Sequence, residues 1–313
     1  MRNAFMKEIF EACKRRDDII VLSGDTGAGL FDDFKKQYPD RFINMGIAEQ
    51  NMASFAAGLA LTGRKVVIYN IIPFLLYRCY EQVRNDICYQ GLPVVLVGVG
   101  SGVTYAPQGM THYAVEDLGI AQTLPNLVVL SPGDSVEAVA SARFSLDCDR
   151  PVYARLAKVG GPVLHPPTTE YLNVVMPHVV RPGHPNSETA VAFHGSISSE
   201  VLAAYDSLAK ESLEPTLISV PMVQPFNGEA FARITNGLKR VMVVEEHYDN
   251  CGLGSIIANN QYLWEHASWD LVNMGIPPGF IHEVKDLPSM RRFFGISAYD
   301  VIDEVKEHDG KRT

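Results

Sequence analysis

Four short apolar runs in the first half of the chain, Ile19–Leu22, Val66–Tyr69, Val94–Val99 and Leu127–Leu130, are continuous rather than alternating. They are rich in Val and Ile and bounded by Gly, Pro, Asn or Asp. A strand with one wet face alternates apolar and polar residues, whereas a continuous run needs cover on both faces, as parallel strands under helices have. Helical segments precede, separate and follow the runs, over residues 3–16, 48–61, 74–89 and 135–144, and in the first of them Phe5, Ile9, Phe10 and Cys13 share a face. Gly160–Pro185 is rich in Pro, Gly and His and reads mostly as linker, with a short apolar interruption at Leu172–Met176. The pattern then restarts, with strands expected at Thr189–Phe193, Thr216–Val220 and Val241–Glu245 and helices at Ile197–Lys210 and Leu253–His266. The expected fold class is α/β, built as two consecutive parallel-sheet domains. The polar end, Glu307–Thr313, is expected to fray.

A length of 313 residues suits two domains. With 27 Lys and Arg against 36 Asp and Glu, the net charge is −9, and there is no basic run. Nucleic acid and anionic membranes are therefore poor partners. The longest apolar stretch, Val66–Tyr77, contains Asn70 and Pro73 and falls short of the roughly 20 residues that cross a bilayer. Met1–Asp18 lacks the features of a secretory signal. Cys13, Cys79, Cys88, Cys148 and Cys251 are scattered, with no CxxC pair, so the expected location is a reducing cytoplasm, without structural zinc or a disulfide framework.

Three segments carry candidate chemistry. Arg41–Leu61 reads RFINMGIAEQNMASFAAGLAL and places Glu49 in the first turn of a helix. An acid there complements the helix dipole. Its apolar neighbours Met45, Ile47 and Met52 would also desolvate it and raise its pKa, a device for handling protons. The small residues of the same helix suggest a second backbone packed closely against it. In Tyr69–Arg84, Phe74, Tyr77 and Tyr80 recur every three residues, as core packing or as a platform for a flat heterocycle. Gly98–Asp117 is a Gly-rich loop between strand and helix, the usual place for a site in an open α/β sheet, and it delivers His112 beside Thr111. No GxSxG, Walker or GxGxxG motif occurs, and the other histidines show no metal-ligand spacing.

Together these segments resemble the C-terminal half of transketolase, most closely the split form made of two chains. The resemblance rests on GIAEQNM (Gly46–Met52), the aromatic helix from Phe74, THYAVEDLGIAQTLPNLVVLSPGD (Thr111–Asp134) and VVEEHYDNCGLGS (Val243–Ser255), and its order and spacing hold across nearly the whole chain. It implies a pyrimidine-binding domain over residues 1–162, a linker over 163–185 and a transketolase C-terminal domain over 186–313. It also implies thiamine diphosphate as cofactor, with magnesium held mainly by a separate diphosphate-binding subunit that completes an α2β2 assembly.

By the same resemblance Glu49 would bond a ring nitrogen of the aminopyrimidine and favour the imino tautomer that activates the cofactor. Phe74 would stack on the pyrimidine with Tyr77 nearby, and His112 would meet oxygens of a sugar donor. Asp25 matches an acid near the cofactor; Gly24-Asp25-Thr26 with Asn51 only loosely imitates the family's GDG…N metal motif and is not read as a metal site. Lys158 stands where an Arg usually grips a sugar phosphate, keeping the charge but not the fork. Gln108 replaces a common acid that reads a sugar hydroxyl, Gly100 a common substrate histidine, and Met110 the usual Pro. These departures point to a two-carbon ketol transfer on an unusual sugar or keto acid. The alternatives are a component that decarboxylates 2-oxo acids, as dehydrogenase β chains and deoxysugar synthases do, and a non-catalytic regulatory subunit. Glu245, Glu246 and His247 follow the family pattern without an assignable role.

Overall fold

A computed structural model describes residues 1–158, 160–265 and 267–309. The expected helix end at His266 and the polar residues beyond 309 lie outside the described residues. The strands are β1 (Ile19–Ser23), β2 (Phe42–Asn44), β3 (Lys65–Ile71), β4 (Val94–Val99), β5 (Val128–Leu130), β6 (Val152–Leu156), β7 (His178–Arg181), β8 (Thr189–Phe193), β9 (Thr216–Ser219), β10 (Met222–Gln224), β11 (Arg240–Tyr248) and β12 (Asp270–Ile276). They form a seven-stranded sheet ordered β10-β5-β6-β4-β3-β1-β2 and a five-stranded sheet ordered β12-β11-β8-β9-β7. Every pairing is parallel except those of β10 with β5 and β7 with β9.

The continuous apolar runs are the central strands, and β1, β4, β5 and β6 are buried along their whole length. One layer of cover is the helix Arg2–Ala12, whose Phe5, Met6 and Ile9 pack with Ala138 and Ala142 of the helix Ser135–Asp147. Asp134 caps the latter by accepting from the Glu137 backbone N–H at 2.8 Å. On the opposite face, Met52, Ala53, Ala56 and Ala57 of the helix Glu49–Leu61 pack over β1 and β3.

The sequence reading did not mark β6 or β12, and two short edge strands also differ from it. His178–Arg181, inside the expected linker, is an edge strand of the second sheet, and Met222–Gln224 from the second half adds an antiparallel edge to the first sheet. Both are three or four residues long and take their place from a remote neighbour rather than from a local pattern.

The two halves meet through buried polar groups. Asp117, fully buried, accepts from Arg155 Nε at 2.8 Å and from the Tyr153 hydroxyl at 2.7 Å. His247 Nδ1 lies 3.0 Å from the Tyr248 carbonyl, which only accepts, so this nitrogen carries the proton. Nε2 then accepts the Leu118 backbone N–H at 3.1 Å. Burial pulls the His247 pKa down to about 4, against the opposing pull of Asp117. No helix among the described residues is long and apolar enough to cross a membrane.

Candidate active site

The C-terminal ends of β1, β3 and β4 open on the edge of the first sheet where ligands of open α/β folds sit. β1 leads into Gly24, where an added Cβ would stand 2.4 Å from Asn70 Nδ2 and 3.4 Å from Glu49 Cγ. Only glycine lets the β1 turn pass this close to those two side chains. Asn70 ends the apolar run of β3, is fully buried, and donates from Nδ2 to Glu49 Oε1 at 3.3 Å. Glu49, 4% exposed, opens its helix and accepts from Arg78 Nη1 at Oε2, 2.7 Å away. The sequence reading surrounded Glu49 with apolar groups only; the structure adds a cation and an amide.

Arg78 reaches this position because the aromatic helix is not a regular α-helix. Pro73–Tyr77 and Val83–Cys88 are wound as π-turns, in which the Arg78 N–H bonds the Pro73 carbonyl five residues back. The wider turn spreads the expected aromatic stripe. Phe74 faces the site, with the Arg78 guanidinium 4.6 Å above its ring and the His112 ring 5.3 Å away at 74°. Tyr77 turns to Glu116, donating to Oε2 at 3.0 Å, and makes no hydrogen bond to Glu49. Burial first, and then Asp117 and Glu116, push the Tyr77 hydroxyl well above its usual range; burial also raises the Glu116 carboxyl.

His112 pairs through Nδ1 with Thr111 Oγ1 at 3.0 Å and lies 5.8 Å from the Tyr105 ring. Its pKa is lowered, by desolvation first and then by the charge of Lys158. Lys158 sits with Nζ 4.3 Å over Tyr105. Tyr105 also accounts for Gly100, because a Cβ there would lie 2.2 Å from the tyrosine Cδ2 and the backbone has φ +96°. Gln108 is exposed on the same loop. Asp25 is exposed, adopts a left-handed conformation with φ 58°, and is tied to the end of β2, where Asn44 Nδ2 donates to its carboxylate at 2.9 Å. The contacts thus join Glu49, Phe74, His112 and Lys158 in one chain of side chains. Asp25 stands at the rim beside Gly24, and Tyr77 stands behind the platform.

Arg78, Asn70, Tyr105 and Glu116 were not singled out from the sequence. Asn70 had a visible signal, being the one polar residue inside its apolar run. Among the described residues, one group of metal-ligand type, Asp134, Glu137 and His165, comes together beyond β5, three strands from β3. Its carboxylates already accept from the backbone N–H groups of Gly133, Glu137, Leu164 and His165 and pair with the His165 ring, so it is a structural knot.

A buried carboxylate, Glu49, thus stands near a half-buried ring, Phe74, at the C-terminal edge of a parallel sheet. Comparison with known families matches residues 1–160 to the pyrimidine-binding domain of transketolase and residues 169–301 to the transketolase C-terminal domain. The chain belongs to the transketolase family. It is 33% identical to a subunit of the apulose-4-phosphate transketolase of Actinobacillus succinogenes, over 97% of this chain and 96% of that protein. It is 29% identical to a 6-deoxy-6-sulfo-D-fructose transketolase subunit of a Clostridium species, over 98% and 94%. A split-gene transketolase solved as an inactive β4 tetramer superposes with a TM-score of 0.84 at 29% identity, covering 98% of this chain and 96% of that one.

Proposed function

We propose that this chain is the pyrimidine-binding subunit of a two-chain transketolase-like enzyme that transfers a two-carbon ketol unit between sugar or sugar-phosphate substrates with thiamine diphosphate. The observation that carries the reading is the Arg78 guanidinium, a planar group with N–H donors that stands over Phe74 and bonds Glu49. An aminopyrimidine offers the same flat face and the same need for a carboxylate partner, so these two residues fit it.

Bound thiamine diphosphate supplies the electron sink that makes cleavage beside a ketose carbonyl possible. Glu49 would hold a proton at the ring nitrogen and so fix the tautomer, while Asn70 keeps the carboxylate in place. Phe74 would orient the ring by stacking, with Tyr77 behind it, and Asp25 would stand at the cofactor's edge. His112 has Nδ1 engaged by Thr111, so Nε2 is the nitrogen that would meet donor oxygens. Gln108 would read a substrate hydroxyl and Lys158 a terminal anion.

In this reading residues 1–162 bind the pyrimidine, 163–185 connect and 186–313 form the C-terminal domain. A separate diphosphate-domain subunit supplies the diphosphate and magnesium contacts in a cytoplasmic α2β2 complex. Support comes from the similarity to proteins described as transketolase subunits, and from Ile47, Phe55 and Leu61, exposed apolar residues on and beside the Glu49 helix. Tyr105 in place of a side chain at position 100, and Gln108 in place of an acid, favour a donor other than the ordinary pentose phosphates.

The test is calorimetric titration of thiamine diphosphate with magnesium into the chain alone and into its co-purified complex. Binding is expected only to the complex, with ketol transfer releasing no carbon dioxide. Tight binding to the isolated chain would overturn the split site, and carbon dioxide release would move the enzyme to the decarboxylating class.

A further inference from the structure

We infer that the second domain positions the substrate loop, residues 100–116, and that Glu246 is the positioning residue. The name "substrate loop" rests on the functional reading above; the mechanical claim does not. The loop leaves the end of β4, carries Gln108 and His112, and enters the helix Asp117–Gln122. Ala114 and Tyr105 pack with first-domain clusters, but most of its apolar side chains turn to the second domain. Val103, Ala106, Tyr113 and Val115 are fully buried in a cluster with Phe193, Val244, Ile281 and Met290 of the second half. Three of its polar residues face the other way: Gln108 and Thr111 are exposed, and His112 meets Phe74 of the first domain. The loop therefore has one face built into the second domain's core and one face in the site.

The backbone is fixed in the same direction. Gly102 and Ala114 exchange N–H···O bonds of 2.9 Å, which closes the loop at its base. The Tyr248 N–H donates to the Val115 carbonyl at 2.9 Å. Arg155 Nη2 bridges the Ala114 and Glu246 carbonyls at 3.0 and 3.1 Å.

Glu246, 1% exposed, faces both ways. Its Oε1 accepts the Val103 N–H at 2.8 Å. Its Oε2 accepts from Ser196 at 3.0 Å and from Arg291 Nη2 and Nε at 2.7 and 3.0 Å. Arg291 is held in turn by the Ser196 carbonyl and Glu200. A carboxylate braced by a buried guanidinium on one side thus grips loop backbone on the other, and such charge-assisted bonds are the strong ones. The loop approaches so closely that a Cβ on Gly102 would stand 2.5 Å from Glu246 Cγ, at a backbone φ of +60°. Remote positioning matters because small misplacements of site groups cost large factors in rate.

The test uses Glu246→Gln and Tyr113→Phe in the full chain. Gln keeps an acceptor for Val103 but cannot accept both Arg291 bonds. Phe removes only a hydroxyl that donates to the Ala106 and Glu283 carbonyls, and it leaves the core volume intact. Amide hydrogen exchange in E246Q is expected to rise about tenfold or more at Gly102, Val103, Ala114 and Val115, while β3 and β4 stay protected. In Y113F a smaller rise is expected, confined to the same loop. The His112 imidazole, followed by NMR titration, is expected to move up toward the ordinary histidine value in E246Q as the loop leaves Lys158 and regains water.

Exchange that rises equally through β3 and β4, or loop exchange and a His112 titration unchanged in E246Q, would overturn the proposal. Should E246Q fail to fold, unchanged loop exchange in Y113F would do the same. These readouts need neither cofactor nor substrate. If the complex fails to bind thiamine diphosphate, that removes the functional reading and leaves the loop result standing.

Discussion

Replacing Glu49 by Gln separates a role in chemistry from a role in folding, because the substitution keeps shape and removes one charge. On the folding side, the variant loses the ion pair to Arg78 Nη1 at 2.7 Å, but the Arg78 side chain is 44% exposed and solvent screens the pair. Pairs of this kind contribute about 0.2–1 kcal/mol. The Gln oxygen still accepts from Asn70 Nδ2, so the buried amide keeps its partner. The expected fall in melting midpoint is therefore about 2–4 °C at most. On the chemical side, a neutral amide cannot hold a proton at a ring nitrogen, and the expected loss of turnover is about 10²–10⁴-fold, the range for a positioned acid or base. The assays are thermal unfolding of the chain and turnover of the co-purified complex at saturating thiamine diphosphate and magnesium. Wild-type turnover in E49Q would refute the argument, leaving Glu49 to complement the helix dipole. So would a large drop in melting midpoint accompanying the lost turnover, because the effect would then be structural.

Three further outcomes follow from the same geometry. Arg78→Met removes the cation that stands where the pyrimidine would stack, and thiamine diphosphate should bind the complex about 3–30-fold more tightly by calorimetry; weaker binding would make Arg78 a cofactor contact instead. Gly24→Ala drives a Cβ to 2.4 Å from Asn70 Nδ2, so it should cost about 1–3 kcal/mol in urea unfolding and weaken cofactor binding in parallel. His247 is held neutral with a pKa of about 4 beside Asp117, Arg155 and Glu245. Its folded value is depressed, so the unfolded chain takes up the proton first and stability falls as pH drops from about 6.5 toward 4, by about 3 kcal/mol from this residue. Urea midpoints between pH 7 and 4.5 should show this slope, and His247→Gln should flatten it.

The fold was largely legible because its cause lies in local composition. Strands covered on both faces must be apolar throughout, and Ile19–Leu22, Val94–Val99 and Leu127–Leu130 say so directly. The antiparallel edges His178–Arg181 and Met222–Gln224 were not legible, because a three- or four-residue strand on an edge is specified by the neighbour it meets. The site divides along the same line. Glu49 was visible as an acid at a helix start amid apolar residues. Arg78 was invisible, because an arginine on a helix carries no mark of what it covers, and its position depends on a π-turn that shifts the register by one residue.

In the second domain the limit of local sequence is sharpest. The apolar run stops at Glu245, where the sequence reading ends a strand, yet β11 continues to Tyr248 with every residue buried. Glu245, Glu246 and His247 can lie inside only because each has a distant partner. His194 and the N–H groups of Leu253 and Gly254 serve Glu245; Arg291 and Val103 serve Glu246; Leu118 serves His247. Buried polar groups need such partners, since an unpaired one costs about 1–3 kcal/mol or more. Three polar residues directly following an apolar run therefore announce a demand for partners that local sequence cannot name. Here the partners include the backbone on either side of His112, and the same accounting that explains why the strand continues also explains why the site loop stays where it is.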